Sequence, residues 1–380
     1  MRIAIVTPGF SASDDDWCIP VLQDIARSLH ASHDVEVYTT CYPFSRGRYE
    51  VKGVPVTSFG DGRSGRMAWL WRQYRAIREL SDVHRCRAFD VVHGFWADGG
   101  GFVGARLKRR FGVPVVVSVM AGELTFVPEV AYGKGRRPIA GRIARYGARH
   151  ADTVLAQSHW HGERIRRAAP DIEPMPIDHG VDTGRFTPEG EAESLAGEMP
   201  VLSCGSLVPV KGHRDLLRAF EIALRTEPRL HLHIVGDGEA ASTLHRQVTD
   251  NGLDRAVTFH GRVDHDRMPA FYRGASFCVS ASWFESHGMV FTEAAACGIP
   301  TIGTGVGTLA EICLPELVTE PGDDRGLASA ILRTAQGPAL REAAASFGLS
   351  TVRSRYRFDQ SVAALDGLYA QAMANAAGSR

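Results

Sequence analysis

Short apolar runs alternate with longer amphipathic stretches along the whole chain, and the alternation occurs once in each half. Apolar runs bounded by turn residues are typical of buried strands, and apolar positions three and four residues apart are typical of helices. The strands predicted in the first half are Ile3–Thr7, Val35–Thr39, Val54–Phe59, Val91–His93, Val113–Val119 and Thr153–Ala156. Those predicted in the second half are Pro200–Cys204, Leu230–Val235, Val257–His260, Phe277–Ser280, Thr301–Gly303 and Leu317–Thr319. Strands that alternate with helices favour an α/β fold with a parallel sheet in each half.

The predicted helices and one polar segment divide the chain into two domains. The polar, acidic stretch 184–199 predicts a linker, so we expect a first domain over 1–183 and a second over 200–354. The Ala-rich stretch at about 355–380 predicts a last helix that packs back on the first domain. Parallel sheets bind ligands beyond the carboxyl ends of their strands, so we expect the chemistry in a cleft between the sheets. The other predicted helices are Ile19–His30, Met67–Leu80, Gly212–Arg225, Ala240–Asn251, Met268–Arg273, Val290–Cys297 and Leu309–Cys313.

The segment FESHGMVFTEAAACGIP, residues 284–300, carries the most specific local pattern in the chain. It predicts a helix that begins at about Met289, and the first turn of a helix offers free backbone N–H groups to an anion. Glu285 precedes this helix and Glu293 lies one turn inside it. Carboxylates accept strong hydrogen bonds from hydroxyls, so the pair favours a ligand with hydroxyls on both sides of a phosphate. A sugar nucleotide is such a ligand; the alternative is a surface charge at Glu285 and a local pair at Glu293.

Two further loops follow predicted strands of the second half. The segment GSLVPVKGH places Lys211 in a glycine-flanked turn, where its ammonium can meet a diphosphate. The segment HIVGDGEAA has a G-x-G-x-x-A pattern that begins at Gly236 and is typical of dinucleotide-binding turns. A nicotinamide site also needs an acidic residue about 20 positions further on. That place holds His260–Arg262, which argues against a nicotinamide cofactor.

Composition excludes several classes of protein. The formal net charge of the 380 residues is zero, so we expect no nucleic-acid partner. The seven cysteines form no C-x-x-C pair, which argues against a disulfide scaffold or a zinc site and fits a cytoplasmic protein. The N-terminus predicts a buried strand instead of a signal peptide, and no apolar run reaches the roughly 20 residues of a membrane span.

The charge is unevenly spread along the chain. Residues 61–150 contain 17 Lys and Arg against 7 Asp and Glu. One interpretation is a patch that faces an anionic acceptor or an anionic membrane, which places the protein peripherally at the inner membrane face. The other is a set of solvated helix faces in an Arg-rich protein, since only 4 of the 43 basic residues are Lys.

Together these segments resemble glycosyltransferase family 4, whose members have the GT-B fold of two facing Rossmann-like domains. The resemblance covers nearly the whole chain and is most specific over 200–311, where Glu285 and Glu293 have the family's E-x7-E spacing. The segments 151–160 and 177–188 resemble those that close the family's first domain. The resemblance implies a retaining, metal-independent glycosyltransferase without a cofactor, which moves a sugar from a nucleotide-diphosphate sugar to a lipid-linked or saccharide hydroxyl. Glycolipid or cell-surface polysaccharide synthesis is the implied role.

The resemblance also implies roles for individual donor-side residues. Glu293 would bind the ribose, Glu285 and the backbone amides of His287–Met289 would hold the donor sugar, and Lys211 would neutralise the diphosphate. The loop Gly261–Val263 would border the base. No protein nucleophile is implied, because the leaving phosphate would take the acceptor proton. The remaining residues expected at the donor are Gly205, Ser206, Gly236, Arg262, Val263, His287, Gly288 and Met289.

Three residues and one loop depart from the family's pattern. Ser206 stands where members often have an Arg that meets the diphosphate, His287 where an aromatic is common, and Met120 where many have a His. The loop SASDDDWCIP, 11–20, replaces a glycine-rich loop. Two alternatives stay open. Ser206, Met120 and the Asp triplet of the 11–20 loop leave open a non-catalytic sugar-nucleotide binder, and the fold itself leaves open a sugar-nucleotide epimerase or phosphorylase.

The first half offers candidates for the acceptor side, each with a structural alternative. Asp16 faces acceptor hydroxyls or belongs to a solvated turn that caps the helix at about Ile19. His93, followed by the flexible Gly99–Gly101, contacts the acceptor or is structural. Trp96 stacks on a sugar or packs at a rim or in the core. Glu123, or the backbone of 120–122, takes the role of the missing His, or the chemistry depends on the second domain instead.

Overall fold

The structure is a computed structural model that describes residues 1–16 and 18–378. The chain forms two compact units. The first unit contains Met1–Phe126, Gly133–Ile177 and the described residues from Ser361 onward. The second unit contains Val127–Tyr132 and Asp178–Gln360, so residues 184–199 belong to it.

The first unit is built on an eight-stranded sheet. Its strands are β1 (Arg2–Gly9), β2 (Asp34–Tyr42), β3 (Arg46–Val51), β4 (Val54–Phe59), β5 (Val91–Phe95), β6 (Val115–Ser118), β7 (Thr153–Ala156) and β8 (Pro174–Pro176). Their order is β3-β4-β2-β1-β5-β6-β7-β8, and all neighbours are parallel except β3 and β4. The six predicted strands are confirmed at their centres, and the sequence order reverses between β1 and β5.

Two strands of this sheet are missing from the sequence prediction, and a purely parallel sheet is wrong for this unit. β3 is an edge strand with the sequence RGRYEV, and only Val51 in it is buried, so its apolar signal is weak. It returns to β4 through Lys52 and Gly53, which both have positive φ, as a tight hairpin turn requires. β8 is a three-residue strand flanked by prolines, and proline normally argues against a strand.

Helices cover the first sheet and are anchored by local signals at their starts. α1 and α4 begin with a proline, which is suited to the first helical turn. Ser158 caps α5 by accepting a hydrogen bond from the backbone N–H of His161. The helices are α1 (Pro20–His30), α2 (Arg66–Cys86), α3 (Gly101–Phe111), α4 (Pro138–Arg149) and α5 (His159–Ala168).

The second unit has a six-stranded, fully parallel sheet with all six predicted strands. These are β9 (Met199–Cys204), β10 (Leu230–Val235), β11 (Val257–Gly261), β12 (Phe277–Ser280), β13 (Thr301–Thr304) and β14 (Val318–Thr319). Their order is β11-β10-β9-β12-β13-β14. From β9 the chain builds the sheet outward to β11 on one side, then returns to the other side of β9 and adds β12, β13 and β14, so the strand order reverses between β9 and β12. The helices are α6 (His213–Leu224), α7 (Ala241–Asp250), α8 (Met268–Gly274), α9 (Met289–Ala296), α10 (Leu309–Ile312), α11 (Asp324–Gln336) and α12 (Pro338–Arg355).

The final helix, α13 (Phe358–Gly378), contributes most of its length to the first unit. Its Tyr369 is buried and bonds to His93, and its Asp366 lies 2.7 Å from His33 Nε2. Across residues 1–16 and 18–378, no helix combines the length and the apolar character that a membrane span requires.

Candidate functional site

Two loops meet where the second sheet reverses its strand order, which is where open parallel sheets bind ligands. The loop after β9 runs over 205–212 and the loop after β12 over 281–288. The backbone N–H of Trp283 donates to the carbonyl of Val210 at 2.8 Å. A Cβ at Gly212, which has φ +65°, would lie 1.9 Å from the carbonyl oxygen of Ala281. Only glycine therefore allows the two loops to touch backbone to backbone.

An ion pair crosses this contact between the two loops. Lys211 Nζ lies 2.6 and 2.8 Å from the two carboxylate oxygens of Glu285. Ser282 Oγ donates to the same carboxylate at 2.9 Å, and the Glu285 side chain is nearly buried. The Lys211 side chain keeps about a quarter of its surface exposed. An ammonium has three N–H donors, and the Glu285 carboxylate engages two of them. The alternative of a surface charge at Glu285 is therefore wrong.

Glu293 is buried in α9, and two side chains from other segments hydrogen-bond its carboxylate. Tyr272, on α8, donates its hydroxyl to Oε2 at 2.8 Å, and His265 Nε2 lies 2.9 Å from Oε1. Burial and the charge of Glu293 raise the pKa of Tyr272 well above its usual value, so the phenol keeps the proton that it donates. A carboxylate only accepts, so His265 presents an N–H at this position. Glu293 is thus paired across elements instead of locally.

Neither Tyr272 nor His265 was recognised from the sequence. Both lie in the segment VTFHGRVDHDRMPAFYRGASFCVSAS, residues 257–282. In this segment the sequence analysis expects ligand-binding residues only in the loop after β11. No periodic or spacing signal links them to Glu293, because their partner is 21 and 28 residues further along the chain.

The start of α9 is open toward the carboxyl edge of the sheet. The helix begins at Met289, as predicted, and no side chain caps its first turn. Gly288 before it has φ +91°, a left-handed conformation that favours glycine. The carbonyl of His287 is held by both the N–H and the hydroxyl of Thr308, at 2.8 and 3.0 Å. The loop is thereby fixed with its backbone amides at the helix start, which is a ready anion site.

The His287 side chain does not face this anion site. It is buried and makes edge contacts with the rings of Tyr356 and His179. The sequence pattern places a histidine where the family has an aromatic, and here the imidazole fills that aromatic position by packing. Its backbone, and not its ring, belongs to the predicted donor loop.

The loops after β9, β10 and β11 also converge at this edge. A Cβ at Gly236 would lie 1.9 Å from the carbonyl oxygen of Gly205, and Gly236 N–H donates to the carbonyl of Gly261 at 2.8 Å. Ser206 and Arg262 are exposed beside these glycines, while Val263 packs against the core. The glycines of the G-x-G-x-x-A pattern therefore serve close contact between loops. All predicted donor-side residues lie on this one edge of the second unit.

In the first unit, His93 is a core residue. Its side chain is fully buried, stacks on Phe95 at 4.1 Å, and has hydrogen-bond partners at both ring nitrogens. These partners are Tyr369 Oη at 2.6 Å from Nδ1 and Ser118 Oγ at 2.9 Å from Nε2. Burial lowers the pKa of His93 to about 3, so the ring is neutral. The structure supports the structural interpretation of His93 and contradicts direct contact with an acceptor.

Glu123 is also enclosed by its own loop. Its carboxylate accepts hydrogen bonds from the backbone N–H groups of Met120 and Ala121, at 2.9 and 2.7 Å. A third, longer bond comes from the N–H of Ala97, at 3.4 Å. Burial raises the pKa of this carboxyl group. The two candidates for the missing His, Glu123 and the 120–122 backbone, therefore bind each other.

The glycines expected to be flexible after His93 are instead part of helical structure. Trp96–Gly100 form a π-helical turn that continues into α3, and Trp96, half-buried, has φ +62°. A Cβ at Gly100 would lie 2.0 Å from the carbonyl oxygen of Val6 on β1. Glycine is needed here because the turn presses its backbone against the sheet, so the expected flexibility is wrong.

Asp16 neither caps α1 nor projects freely. Its carboxylate accepts from the hydroxyl of Tyr42 and from the backbone N–H of Ala12, both at 2.7 Å. α1 has no side-chain cap, so the capping interpretation of Asp16 is wrong. Asp14 bonds separately to the N–H of Lys52. Within residues 1–16 and 18–378, no three His, Cys, Asp or Glu side chains are arranged to hold a metal ion.

Comparisons with known proteins place this chain in a family. Residues 198–336 match the family model of glycosyl transferases group 1, and residues 19–176 match that of a glycosyl transferase 4-like domain. A D-inositol 3-phosphate glycosyltransferase of Actinosynnema mirum is 30% identical over 76% of this chain and 74% of its own length. The chain belongs to the group 1 glycosyltransferases. An alpha-monoglucosyldiacylglycerol synthase of Streptococcus pneumoniae is 24% identical over 80% of this chain and 71% of its own length.

Solved structures share the fold of this glycosyltransferase. Sucrose-phosphate synthase from Thermosynechococcus elongatus superposes with a TM-score of 0.83 at 21% identity, covering 99% of this chain and 100% of that one. Anabaena HepE in complex with UDP and glucose has a TM-score of 0.76 at 19% identity, covering 97% and 99%. The predicted GT-B fold of two Rossmann-like domains is confirmed, as is the prediction of a glycosyltransferase enzyme.

Proposed function

We propose that this enzyme transfers a sugar from a nucleotide-diphosphate sugar to a hydroxyl of a lipid-linked or saccharide acceptor, with retention of anomeric configuration. The observation that carries the proposal is the ion pair of Lys211 and Glu285, which spans the two loops at the β9/β12 reversal. The UDP and glucose in the HepE structure support the donor class. The diacylglycerol named in the streptococcal relative supports a lipid acceptor.

Positive charge at this edge suits the donor's diphosphate. The Lys211 ammonium and the uncapped first turn of α9 lie on the two loops that meet at the reversal. In the transfer, the bond between the anomeric carbon and the diphosphate oxygen breaks, and negative charge grows on the leaving group. Fixed donors that meet this growing charge lower the barrier more than they strengthen substrate binding.

The two buried carboxylates suit the hydroxyls on either side of that diphosphate. Tyr272 and His265 hydrogen-bond the Glu293 carboxylate, so its orientation is fixed before a ribose binds. The lone pairs that these two bonds leave unused can accept hydrogen bonds from ribose hydroxyls. Glu285 is oriented by Ser282 and Lys211, which suits a carboxylate that binds the donor sugar. Such preorganised groups position the anomeric carbon for attack without rearrangement.

In the proposed step, the acceptor oxygen bonds to the anomeric carbon on the face that the diphosphate leaves. The acceptor proton passes to the leaving phosphate oxygen, so no side chain acts as nucleophile. We propose that neither a metal nor a cofactor takes part, because Lys211 and the start of α9 supply the charge that faces the diphosphate. The resemblance to the family supports front-face transfer, and the resemblance together with the charge of Lys211 and of the α9 start supports metal independence.

A panel of nucleotide-diphosphate sugars tests the donor assignment. Ligands that bind only the folded state raise the melting temperature, so UDP, GDP, ADP and dTDP sugars are added with and without EDTA. The proposal predicts a base-selective shift that EDTA leaves unchanged and that Glu293→Ala abolishes. NMR of the product from the selected donor should show the donor's own anomeric configuration. Inversion, loss of turnover in EDTA, or donor consumption without a glycosylated acceptor would each contradict the proposal.

A further inference from the structure

Trp283 lies in the loop after β12, two residues before Glu285. Its backbone N–H donates to the carbonyl of Val210, and its side chain is half-buried. The indole Nε1–H donates to the carboxylate of Asp215 at 2.6 Å. Asp215 lies in the first turn of α6, a helix that begins two residues after Lys211. Trp283 therefore binds the segment that carries Lys211 at two points, once through its backbone and once through its ring.

An ion-pair network holds the Asp215 carboxylate in place. Arg218, which lies three residues further along α6, donates to its other carboxylate oxygen at 2.6 Å. The same guanidinium pairs with Asp324 at the start of α11, at 2.5 Å. The Asp215 side chain keeps only 14% of its surface exposed. The indole thus bonds to an ionised acceptor of fixed position, and such charge-assisted bonds are stronger than bonds between neutral groups.

The indole ring packs against Gly322 and borders a cavity. A Cβ at Gly322, which has φ +82°, would lie 2.8 Å from Cη2 of Trp283. The cavity has a volume of about 770 Å³, and Val208 and Pro209 of the loop after β9 also line it. Because there is open space beside the ring, packing alone does not set its position. The hydrogen bond to Asp215 and the contact with Gly322 therefore decide where the ring lies.

The position of Glu285 depends on that of Trp283. Lys211 is joined directly to α6, and the indole bond attaches the loop of Glu285 to the same helix. The distance of 2.6 Å between Lys211 Nζ and Glu285 Oε1 is therefore set in part by the indole bond. Glu293, in contrast, is oriented by α8 and by the segment just before it. Of the two buried carboxylates, only Glu285 should respond to a change at Trp283.

We propose that Trp283 and Asp215 are positioning residues, which set the Glu285 carboxylate for the sugar of the donor. This role rests on the proposed function, in which Glu285 binds the sugar and Lys211 meets the diphosphate. Without the indole bond, the loop after β12 loses its second attachment to α6, and Glu285 shifts from the place that the sugar hydroxyls require. The contacts with diphosphate and ribose stay, because Lys211 and Glu293 lie on other elements. The loss is thus confined to the sugar part of the donor.

Titration calorimetry without acceptor tests this role on the full chain. The probes are the nucleoside diphosphate selected in the donor panel and the corresponding nucleotide-diphosphate sugar. Trp283→Phe keeps an aromatic ring and removes the N–H. It should lower the affinity for the sugar nucleotide about tenfold, whereas the affinity for the nucleoside diphosphate should stay within about twofold of wild type. With acceptor present, kcat should also fall about tenfold. Asp215→Asn should show the same split.

A double variant separates the hydrogen bond from a general effect of either substitution. Because both single changes remove the same bond, Trp283→Phe with Asp215→Asn should lose about as much affinity for the sugar nucleotide as either change alone. Glu227→Gln is the matched control. It breaks the ion pair of Glu227 with Arg229 elsewhere in the second unit, and it should bind both ligands as wild type does.

Three results would overturn the positioning role. The first is wild-type affinity for the sugar nucleotide in Trp283→Phe. The second is an equal loss of affinity for both ligands, which would indicate general destabilisation. The third is a double variant whose loss is the product of the two single losses, because the side chains would then act independently. A wild-type protein that binds none of the nucleotides would instead contradict the proposed function itself, and the positioning role would fall with it.

Discussion

The two units differ in how far the polar residues near the carboxyl edges of their sheets are exposed. In the second unit, Lys211 and Glu285 pair across two loops, and about a quarter of the Lys211 side chain stays exposed. In the first unit, His93 and Glu123 are buried. Their hydrogen bonds of 2.6 to 2.9 Å come from residues of the same unit. Charged residues that stay partly open at a strand reversal are suited to bind a ligand. The two enclosed residues belong to the packing of the first unit, whereas the partly exposed Lys211 is suited to meet a ligand.

The largest expected effect is the loss of Lys211. Lys211→Ala removes the cation expected at the leaving diphosphate and should lower kcat/KM about 10²–10³-fold, or about 2–4 kcal/mol of transition-state stabilisation. Steady-state kinetics with the selected donor measures it. Lys108→Ala is the matched control, because Lys108 forms a 2.7 Å ion pair with Asp152 in the first unit. An unchanged turnover number in Lys211→Ala would remove the difference between the two edges.

For the buried residues of the first unit, we expect an effect on the free energy of unfolding and on its dependence on pH. The pKa of His93 is about 3 in the folded protein and about 6.5 when exposed, so below pH 6.5 the unfolded chain binds more protons. Stability is therefore complete above pH 6.5 and falls toward pH 3, with His93 alone costing about 2 kcal/mol at pH 5. His161, also in the first unit, has a pKa lowered to about 4 by burial and acts in the same direction.

His93→Gln isolates this contribution. The loss of unfolding free energy between pH 7 and pH 5, followed by urea unfolding, should be about 2 kcal/mol smaller than in wild type. Its kcat/KM at pH 7.5 should stay within about threefold of wild type, since no substrate contact is removed. A loss of turnover comparable to that of Lys211→Ala, with unchanged pH dependence of stability, would restore His93 as an acceptor residue.

A smaller effect is expected at the support of Glu293. Tyr272→Phe removes one hydrogen bond to a buried carboxylate and should reduce donor affinity by about 1–2 kcal/mol, or roughly 5–30-fold. Titration calorimetry with the donor nucleotide measures it, and Tyr369→Phe is the control because Tyr369 bonds to His93 instead. Equal loss of donor affinity in both variants would mean that general destabilisation, and not the support of Glu293, is responsible.

The smallest effect is a predicted gain. Ser206 is exposed beside Gly205, and the family often has an Arg at this place. Ser206→Arg should raise donor affinity a few-fold, because an exposed ion pair with a diphosphate contributes about 0.5–1 kcal/mol. The gain should shrink at high salt. Thr243→Arg, on α7, is the control for added charge alone, and a similar gain there would contradict a local role for position 206.

The second unit was more predictable than the first, and the reasons are physical. All six of its strands are short runs that contain apolar residues and lie between turn residues, and β12 is followed by the glycine-bearing loop into α9. β3 and β8 were not predicted, because an exposed edge strand and a strand with prolines at both ends lack that signal. Tyr272 and His265 were not predicted as site residues. They support Glu293 through hydrogen bonds between segments that are distant in sequence, which no local pattern indicates. The sequence pattern places His93 at the end of a strand, whereas β5 continues to Phe95, and only the packing of α13 shows that the ring is enclosed.

The central claim is that the Lys211–Glu285 pair marks the donor site. The most direct test is the thermal shift caused by the selected nucleotide diphosphate in wild type, Lys211→Ala and Lys108→Ala. The account predicts the full shift in wild type and Lys108→Ala, and little or none in Lys211→Ala. A full shift in Lys211→Ala would place the diphosphate elsewhere and contradict the account.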